Sequence, residues 1–372
     1  MKIMKCVVGL SGGVDSSSVA AVLKSKGYEV VGCTLKMFES SKSQAAVANA
    51  KKVADFLGIQ HEVIDCVTDF KKYVTDYFVN SYLNGLTPNP CIMCNTHVKF
   101  QFINEFRKQH GADFLATGHY VRLRLDGSHL ELRQAVDIRK DQSYFLYAVN
   151  KDILSHAIFP LGEYKKTETR AMAREFGLHV AESSESQDIC FVINNDYVSY
   201  IKNYGTESPK CYENCPNNGN CNCSCSVGTT GHIVDKNGKI LGKHNGIFNY
   251  TIGQRKGLGL SGGPFFVCGL DTKKNEVIVT DKNGVKADFI RLKRVKFINQ
   301  EFFGNCFVQV RSTNSKIKAK LLEHGAMNDN NIQDTADQYF VELREPEYGV
   351  AKGQHCVFYD ADNVVLGGGV IS

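Results

Sequence analysis

Residues 9–17 read GLSGGVDSS, directly behind a short apolar run. Glycines and serines there can offer a phosphate chain backbone N–H groups at a helix N-terminus together with hydroxyl donors. In a G-x-x-x-x-G-K-[ST] loop a lysine holds the β- and γ-phosphates. This stretch has none, and Asp15 stands among Gly12, Gly13, Ser16 and Ser17 instead. A carboxylate repels bare phosphate, so Asp15 is expected to bind a phosphate-bridging magnesium ion or to cap the helix. Two later strings carry thiols: NPCIMCNTHVKF, with Cys91 and Cys94, and ESQDICF, with Cys190. Ordinary cysteine is only a few per cent thiolate at neutral pH. Cys94 is expected at a helix N-terminus, where the dipole would favour its thiolate.

The elements that must position these residues are legible over the first two hundred positions. IMKCVVGL suits a buried parallel strand, and SSSVAAVLKSKG a helix closing at Gly27. EVVGCTLKMF and IQHEVIDC read as further strands. Between them Ala46, Ala50, Val53 and Leu57 form one helical stripe ending at Gly58. Phe70, Tyr73, Val74, Tyr77 and Phe78 mark another amphipathic helix. A helix over about 95–110 and the strand DFLATGHY follow. The alternation predicts an α/β fold with a doubly wound parallel sheet, whose ligands sit beyond the carboxyl ends of the strands, where SGGVDS falls. Past Val227 the pattern changes to short strand-like runs broken by Asn-Gly and Gly clusters, which predicts two small β domains. The expected division is 1–205 for the α/β domain, 206–226 for a Cys-rich insertion, 227–284 for a central β domain and 285–372 for a C-terminal barrel-like domain.

Composition narrows the class. With 372 residues, 43% hydrophobic and 22% charged, the chain can build two or three cores. The N-terminal apolar run stops at Ser11 without a cleavage pattern, and no stretch approaches ~18 apolar residues, so a cytoplasmic protein with no membrane partner is expected. Fourteen cysteines spread over such a chain read as reduced thiols. A net charge of +5 permits nucleic-acid binding without demanding it, but residues 291–320 hold eight Lys/Arg (from Arg291 to Lys320) against one acid, Glu301. That run suits either a solvated sheet face or a polyanion surface.

SGGVDS resembles the signature of the PP-loop ATP pyrophosphatases, which cleave ATP between the α- and β-phosphates and adenylate a carbonyl oxygen. The resemblance explains the missing lysine, since the loop would grip a pyrophosphate leaving group. The two cysteine strings, with ATGHY, RKDQSYFLY, YTIGQRKGLG and VVLGGGVI, resemble the bacterial tRNA-specific 2-thiouridylases over nearly the whole chain. Membership would imply 2-thiolation of the wobble uridine of tRNA (U34) with ATP and magnesium. ATP would lie on Gly9, Leu10, Ser11, Gly12, Gly13, Val14, Asp15 and Ser16, with Met37 and Gly118 at the adenine nucleotide. Cys190 would carry a persulfide from a protein donor, and Cys94 would attack it. Asn89, Pro90 and Cys91 would line the pocket of the flipped base. His119, Lys140, Asp141, Gln142, Arg311, Ser312 and Gln354 would meet the tRNA. The sequence departs from the family at Cys91, where many relatives have Asp, and at Ser312, where they have an aromatic that could stack on a base.

Cys91, Cys94 and Cys190 could alternatively hold an iron-sulfur cluster, as in related tRNA thiolases. CYENCPNNGNCNCSCS, outside the family pattern, offers Cys211, Cys215, Cys221, Cys223 and Cys225 to a zinc ion or to a sulfur donor. A monomer is expected. The rival functions are an amide-forming ATP pyrophosphatase acting on a small acid, which would not need the thiols, and a non-catalytic RNA-binding protein, which would not release pyrophosphate.

Overall fold

The computed structural model describes residues 2–183, 189–207, 229–322 and 339–372. The strands of the first part are β1 (Lys5–Gly9), β2 (Glu29–Lys36), β3 (Gln60–Asp65), β4 (Phe114–Ala116), a hairpin β5 (Arg122–Asp126) and β6 (His129–Arg133), and β7 (Ala157–Ile158). Five of them form a parallel sheet in the order β3-β2-β1-β4-β7, as the alternating pattern predicts. β1 lies in the middle and is apolar on both faces because helices cover both. Val7 points into a core with Phe100, Ile103 and Leu115. Cys6 and Val8 point the other way, onto Val19, Ala20 and Ala50. Apart from Leu115 of β4, those partners come from helices α1 (Val14–Ser25) and α2 (Ser41–Leu57) on one side and from the helix Phe100–Gln109 on the other. The Ser40 hydroxyl caps α2 by accepting from the Ser43 N–H at 3.0 Å, and Gly58 ends it in the left-handed region at φ 59°.

The second half is all β. Strands β8 (Thr230–Asp235), β9 (Ile240–Asn245), β10 (Phe266–Asp271) and β11 (Glu276–Thr280) form a sheet in the order β10-β11-β8-β9. Strands β12 (Lys286–Phe297), β13 (Gly304–Gln309), β14 (Ile317–Leu322), β15 (Tyr339–Tyr348), β16 (His355–Tyr359) and β17 (Val365–Ile371) close into a six-stranded barrel. Closure removes the exposed edges that short strands otherwise leave.

The barrel is not tethered loosely. Val357, Tyr359 and Val365 share a core with Leu130, Leu132, Tyr144 and Leu146 of the first part. The Tyr144 hydroxyl donates to the His355 carbonyl at 2.8 Å, and Asn299 exchanges two hydrogen bonds with the backbone of Leu130 at 3.0 and 2.8 Å. Ile233 and Val267 of the β8–β11 sheet, with Phe248 from the turn after β9, share a core with Phe70 and Phe78. Among the described residues no helix is long and apolar enough to cross a membrane.

Candidate active site

β1 ends at Gly9 and the chain turns through Ser11–Gly13 into α1. Gly12 adopts φ +75°, and a Cβ there would stand 2.4 Å from the Ala46 carbonyl oxygen of α2, so only glycine lets loop and helix approach. Leu10 is buried beneath the turn. The Ser16 hydroxyl accepts from the Ser11 N–H at 3.0 Å and lies 3.1 Å from the Ser11 hydroxyl. Gly13 is the N-cap, and no side chain caps the helix. The first-turn amides of α1, which begins at Val14, are therefore without a side-chain acceptor and suit an anion. Gly118, just beyond β4, lies across the same turn: a Cβ on it would stand 2.9 Å from the Ser16 nitrogen and 3.0 Å from the Asp15 Cβ. The loop after β1 and the loop after β4 thus meet at the carboxyl edge of the sheet, where its strand order reverses.

Of the two roles expected for Asp15, the structure removes the helix cap. Asp15 sits in the first turn of α1 and does not cap it, because Gly13 already occupies the cap position. Its Oδ1 accepts from the Lys166 ammonium at 2.5 Å and from the Tyr120 hydroxyl at 2.7 Å. The Tyr120 hydroxyl also meets the Thr169 Oγ1 at 3.0 Å. Lys166, from the helix Lys166–Glu175, is only 8% exposed. A buried lysine requires a partner, and Asp15 provides it. The cation that the glycine loop lacks therefore comes from about 150 residues away, the two being separated by 151 positions. Nothing in the string YKKTETR marks Lys166 for this place. Only its spacing from a buried helix face could have hinted at it.

The thiol helix starts earlier than its sequence suggests. Asn89 caps it by accepting from the Ile92 N–H at 3.3 Å, and Pro90 takes the first helical position, where its missing N–H costs nothing. The run continues through a π turn at Asn95–Lys99 into Phe100–Gln109. π turns inside α-helices are frequent at functional sites. Cys94 consequently lies one turn inside the helix and is buried. Burial pushes its thiol pKa up, against a weaker pull from Lys99, so the expected stabilisation of thiolate by the dipole is overturned. Its Sγ is 3.8 Å from the Met37 Sδ at the end of β2. Burial also raises Cys91, which Lys99 opposes. Cys190 is solvent-accessible, but the packed atoms around it push it up to about 12, and the neighbouring Cys94 and Cys91 add to the rise. Phe191 anchors this segment, with ring centroids 5.6 Å from Phe70 and 5.3 Å from Phe78.

Among the described residues no three His, Cys, Asp or Glu side chains converge as metal ligands. Cys91, Cys94 and Cys190 are accordingly neighbours without being gathered as a cluster site. Cys211, Cys215, Cys221, Cys223 and Cys225 lie outside the described residues.

Most positions expected at the tRNA have partners within the protein. His119 is buried and stacks on Phe100 at 5.6 Å, with Nδ1 2.7 Å from the Thr117 hydroxyl, and burial holds its pKa well below the ordinary value. Asp141 accepts from the Ala135 N–H at 3.0 Å and the Ser143 hydroxyl at 2.7 Å, organising its own loop. Gln142 accepts from the Tyr120 N–H at 2.9 Å. Lys140 is half-buried beside them. Arg311 donates to the Ile252 carbonyl at 3.2 Å and the Gly349 carbonyl at 2.6 Å, fastening the barrel to the β8–β11 region. Ser312 is exposed next to it. Gln354 donates to the Pro88 carbonyl at 3.3 Å and so braces the Asn89–Pro90 corner from the barrel.

Comparison with known proteins agrees with this arrangement. Residues 4–194 match the model of the tRNA methyl transferase HUP domain, 226–281 that of the tRNA methyl transferase PRC-barrel domain, and 287–371 that of the Aminomethyltransferase beta-barrel domain. The chain is 37% identical to a tRNA-specific 2-thiouridylase MnmA of Clostridium acetobutylicum, over 99% of both chains. It is 39% identical to that of Pelobacter propionicus, over 99% of this chain and 98% of the other. Dinoroseobacter shibae has another at 39%, over 99% of this chain and 93% of the other. Identity at this level along the full length, over a glycine-loop sheet and two β domains, means that the chain belongs to the family of tRNA-specific 2-thiouridylases.

Proposed function

We propose that this protein replaces the C2 oxygen of the tRNA wobble uridine, U34, with sulfur, using ATP to activate the oxygen. The observation that carries the reading is a juxtaposition at one sheet edge. Uncapped amides and serine hydroxyls follow β1, and Cys94 touches Met37 at the end of the neighbouring β2.

ATP is a substrate here, and the loop fits its phosphates: first-turn amides of α1 for the oxygens, Ser11 and Ser16 as donors, Gly12 and Gly118 leaving room. Lys166 would exchange Asp15 for the phosphates and offset the charge of departing pyrophosphate. Magnesium, when bound, would lower the charge of the phosphates, and Asp15 is the residue that would hold it. Asn89, Pro90 and Cys91 hold the base corner, and Gln354 braces it.

Attack of the C2 oxygen on the α-phosphorus forms the adenylate and releases pyrophosphate. The outer sulfur of a Cys190 persulfide then adds to C2 and AMP departs. Cys94 thiolate attacks the Cys190 sulfur, leaving the outer sulfur on the base and forming a Cys94–Cys190 disulfide, which a thiol reductant reopens. In the other route Cys94 attacks first and releases sulfide, which adds to C2. Both need the two thiols to meet, and Cys94 lies near enough to Cys190 to raise its pKa.

Unmodified tRNA, ATP and a persulfide donor test the reading, with pyrophosphate and 2-thiouridine both measured. Cys94→Ser and Cys190→Ser should abolish 2-thiouridine. Pyrophosphate release without any need for the thiols would favour the amide-forming alternative, and tRNA binding without pyrophosphate would favour a binding protein.

A further inference from the structure

Behind the thiol helix lies a cavity of about 360 Å³. Ile92, Met93, Thr96 and His97 line it, whereas Cys91 and Cys94 lie on the opposite helical face. Its other wall is the barrel, which contributes three cations from β12, Lys293, Arg294 and Lys296, all solvent-exposed. No carboxylate lines the cavity, and none of the three cations has a carboxylate partner among the described residues. Two features show that the barrel is shaped here. The β12–β17 register slips between Lys293 and Lys296, and Arg294 within that slip has φ +52°, a left-handed backbone uncommon for a long side chain. Bulges of this kind re-aim side chains at barrel rims. The second feature is His355, 2% exposed, whose Nδ1 lies 2.7 Å from the Tyr147 hydroxyl while its buried Nε2 has no partner among the described residues.

The cavity adjoins the Asn89–Pro90 corner. Tyr77, on its wall, meets the backbone of Asn89, and Gly353, on its rim, precedes Gln354. A cationic mouth over a largely apolar interior of this size suits a single nucleotide, with phosphate at the mouth and base inside.

We propose that this cavity receives the nucleotide next to the reacting uridine, its phosphate on Lys293, Arg294 and Lys296 and its base against the apolar wall. The assignment rests on the tRNA-thiolation reading and adds a specificity subsite to it.

The test uses the full-length protein and an anticodon stem-loop RNA, either intact or abasic on one side or the other of the reactive uridine. One abasic RNA should bind the wild type about tenfold more weakly than the intact loop. Asn84→Trp, which fills the mouth from an exposed lining position, should bind intact RNA about tenfold more weakly and lose nothing further on the abasic RNA. Replacing Lys293, Arg294 and Lys296 together by Gln should lower the salt slope by roughly 0.7 to 0.9 for each phosphate released. An abasic penalty equal in wild type and Asn84→Trp, or absent from both, overturns the subsite while leaving thiolation standing. Uridine monophosphate that protects Asn84→Cys from alkylation without competing with the RNA would assign the cavity to a free nucleotide and overturn it too. A wild type that neither binds nor thiolates tRNA takes the reading beneath it down as well.

Discussion

The nucleotide loop and the thiol site share a sheet edge but are built in opposite ways. The loop draws nearly everything from eight consecutive residues: amides that no side chain caps and hydroxyls that also engage the loop's own backbone, with Lys166 held on Asp15 beside them. The thiol site draws Cys94 and Cys190 from strings 96 positions apart, and the packed atoms around them raise the pKa of both. Binding of phosphate needs charge that is ready beforehand, because amide dipoles fixed in place need no reorganisation when the leaving group departs. Delivery of sulfur needs the reverse, since a thiolate left standing in the open would be oxidised or spent on the wrong electrophile.

The sharpest way to break this contrast is to remove a thiol. Cys94→Ser or Cys190→Ser should lower 2-thiouridine formation to background while ATP binding stays within twofold, measured by calorimetric titration. A parallel loss of ATP binding would mean that the two regions are one unit. Next comes the cation. Lys166→Met should slow pyrophosphate release by about 10² to 10³, the cost of losing one preorganised charge at a leaving group. It should leave the Cys94–Cys190 disulfide able to form, as judged by thiol trapping.

A pH series sharpens the comparison. The thiol pKa values lie above the ordinary range, so the thiolate fraction is small at neutral pH and grows about tenfold per unit as pH rises. Single-turnover thiolation should climb in step from roughly pH 7 to 9 while pyrophosphate release on the same tRNA stays nearly flat. Identical profiles would show that activation, and not the thiols, limits both. The smallest effect is expected at the helix cap. Asn89→Ala should cost about 1 kcal/mol of stability through loss of the bond to the Ile92 N–H, read from chemical denaturation. It should perturb thiolation more than pyrophosphate release, because the cap positions Cys91 and Cys94 and not the loop.

How much of this was legible beforehand follows the same division. The parallel sheet, the glycine loop and the two β domains appear in the sequence because each depends on a local period or on short-range turn chemistry. The start of the thiol helix was misplaced by five residues, since Asn89-Pro90 reads as a loop until Ile92 is seen to need an acceptor. The resemblance assigns His119, Asp141 and Arg311 to the tRNA, and the structure adds contacts that no local pattern shows: a stacked ring, a loop and a domain junction. Polar residue types alone do not reveal which way a side chain faces.

The order of glycines and serines after β1 by itself determined that phosphates could be bound without a lysine in the loop, because backbone amides at a helix N-terminus are a property of local chain geometry. Only the tertiary structure decided that Lys166 answers Asp15, that Met37 meets Cys94 and that the barrel closes a cationic cavity behind the thiol helix. Those pairings span 57 to 151 positions of chain where a bond is formed, and no local pattern encodes contacts made through packing of distant elements.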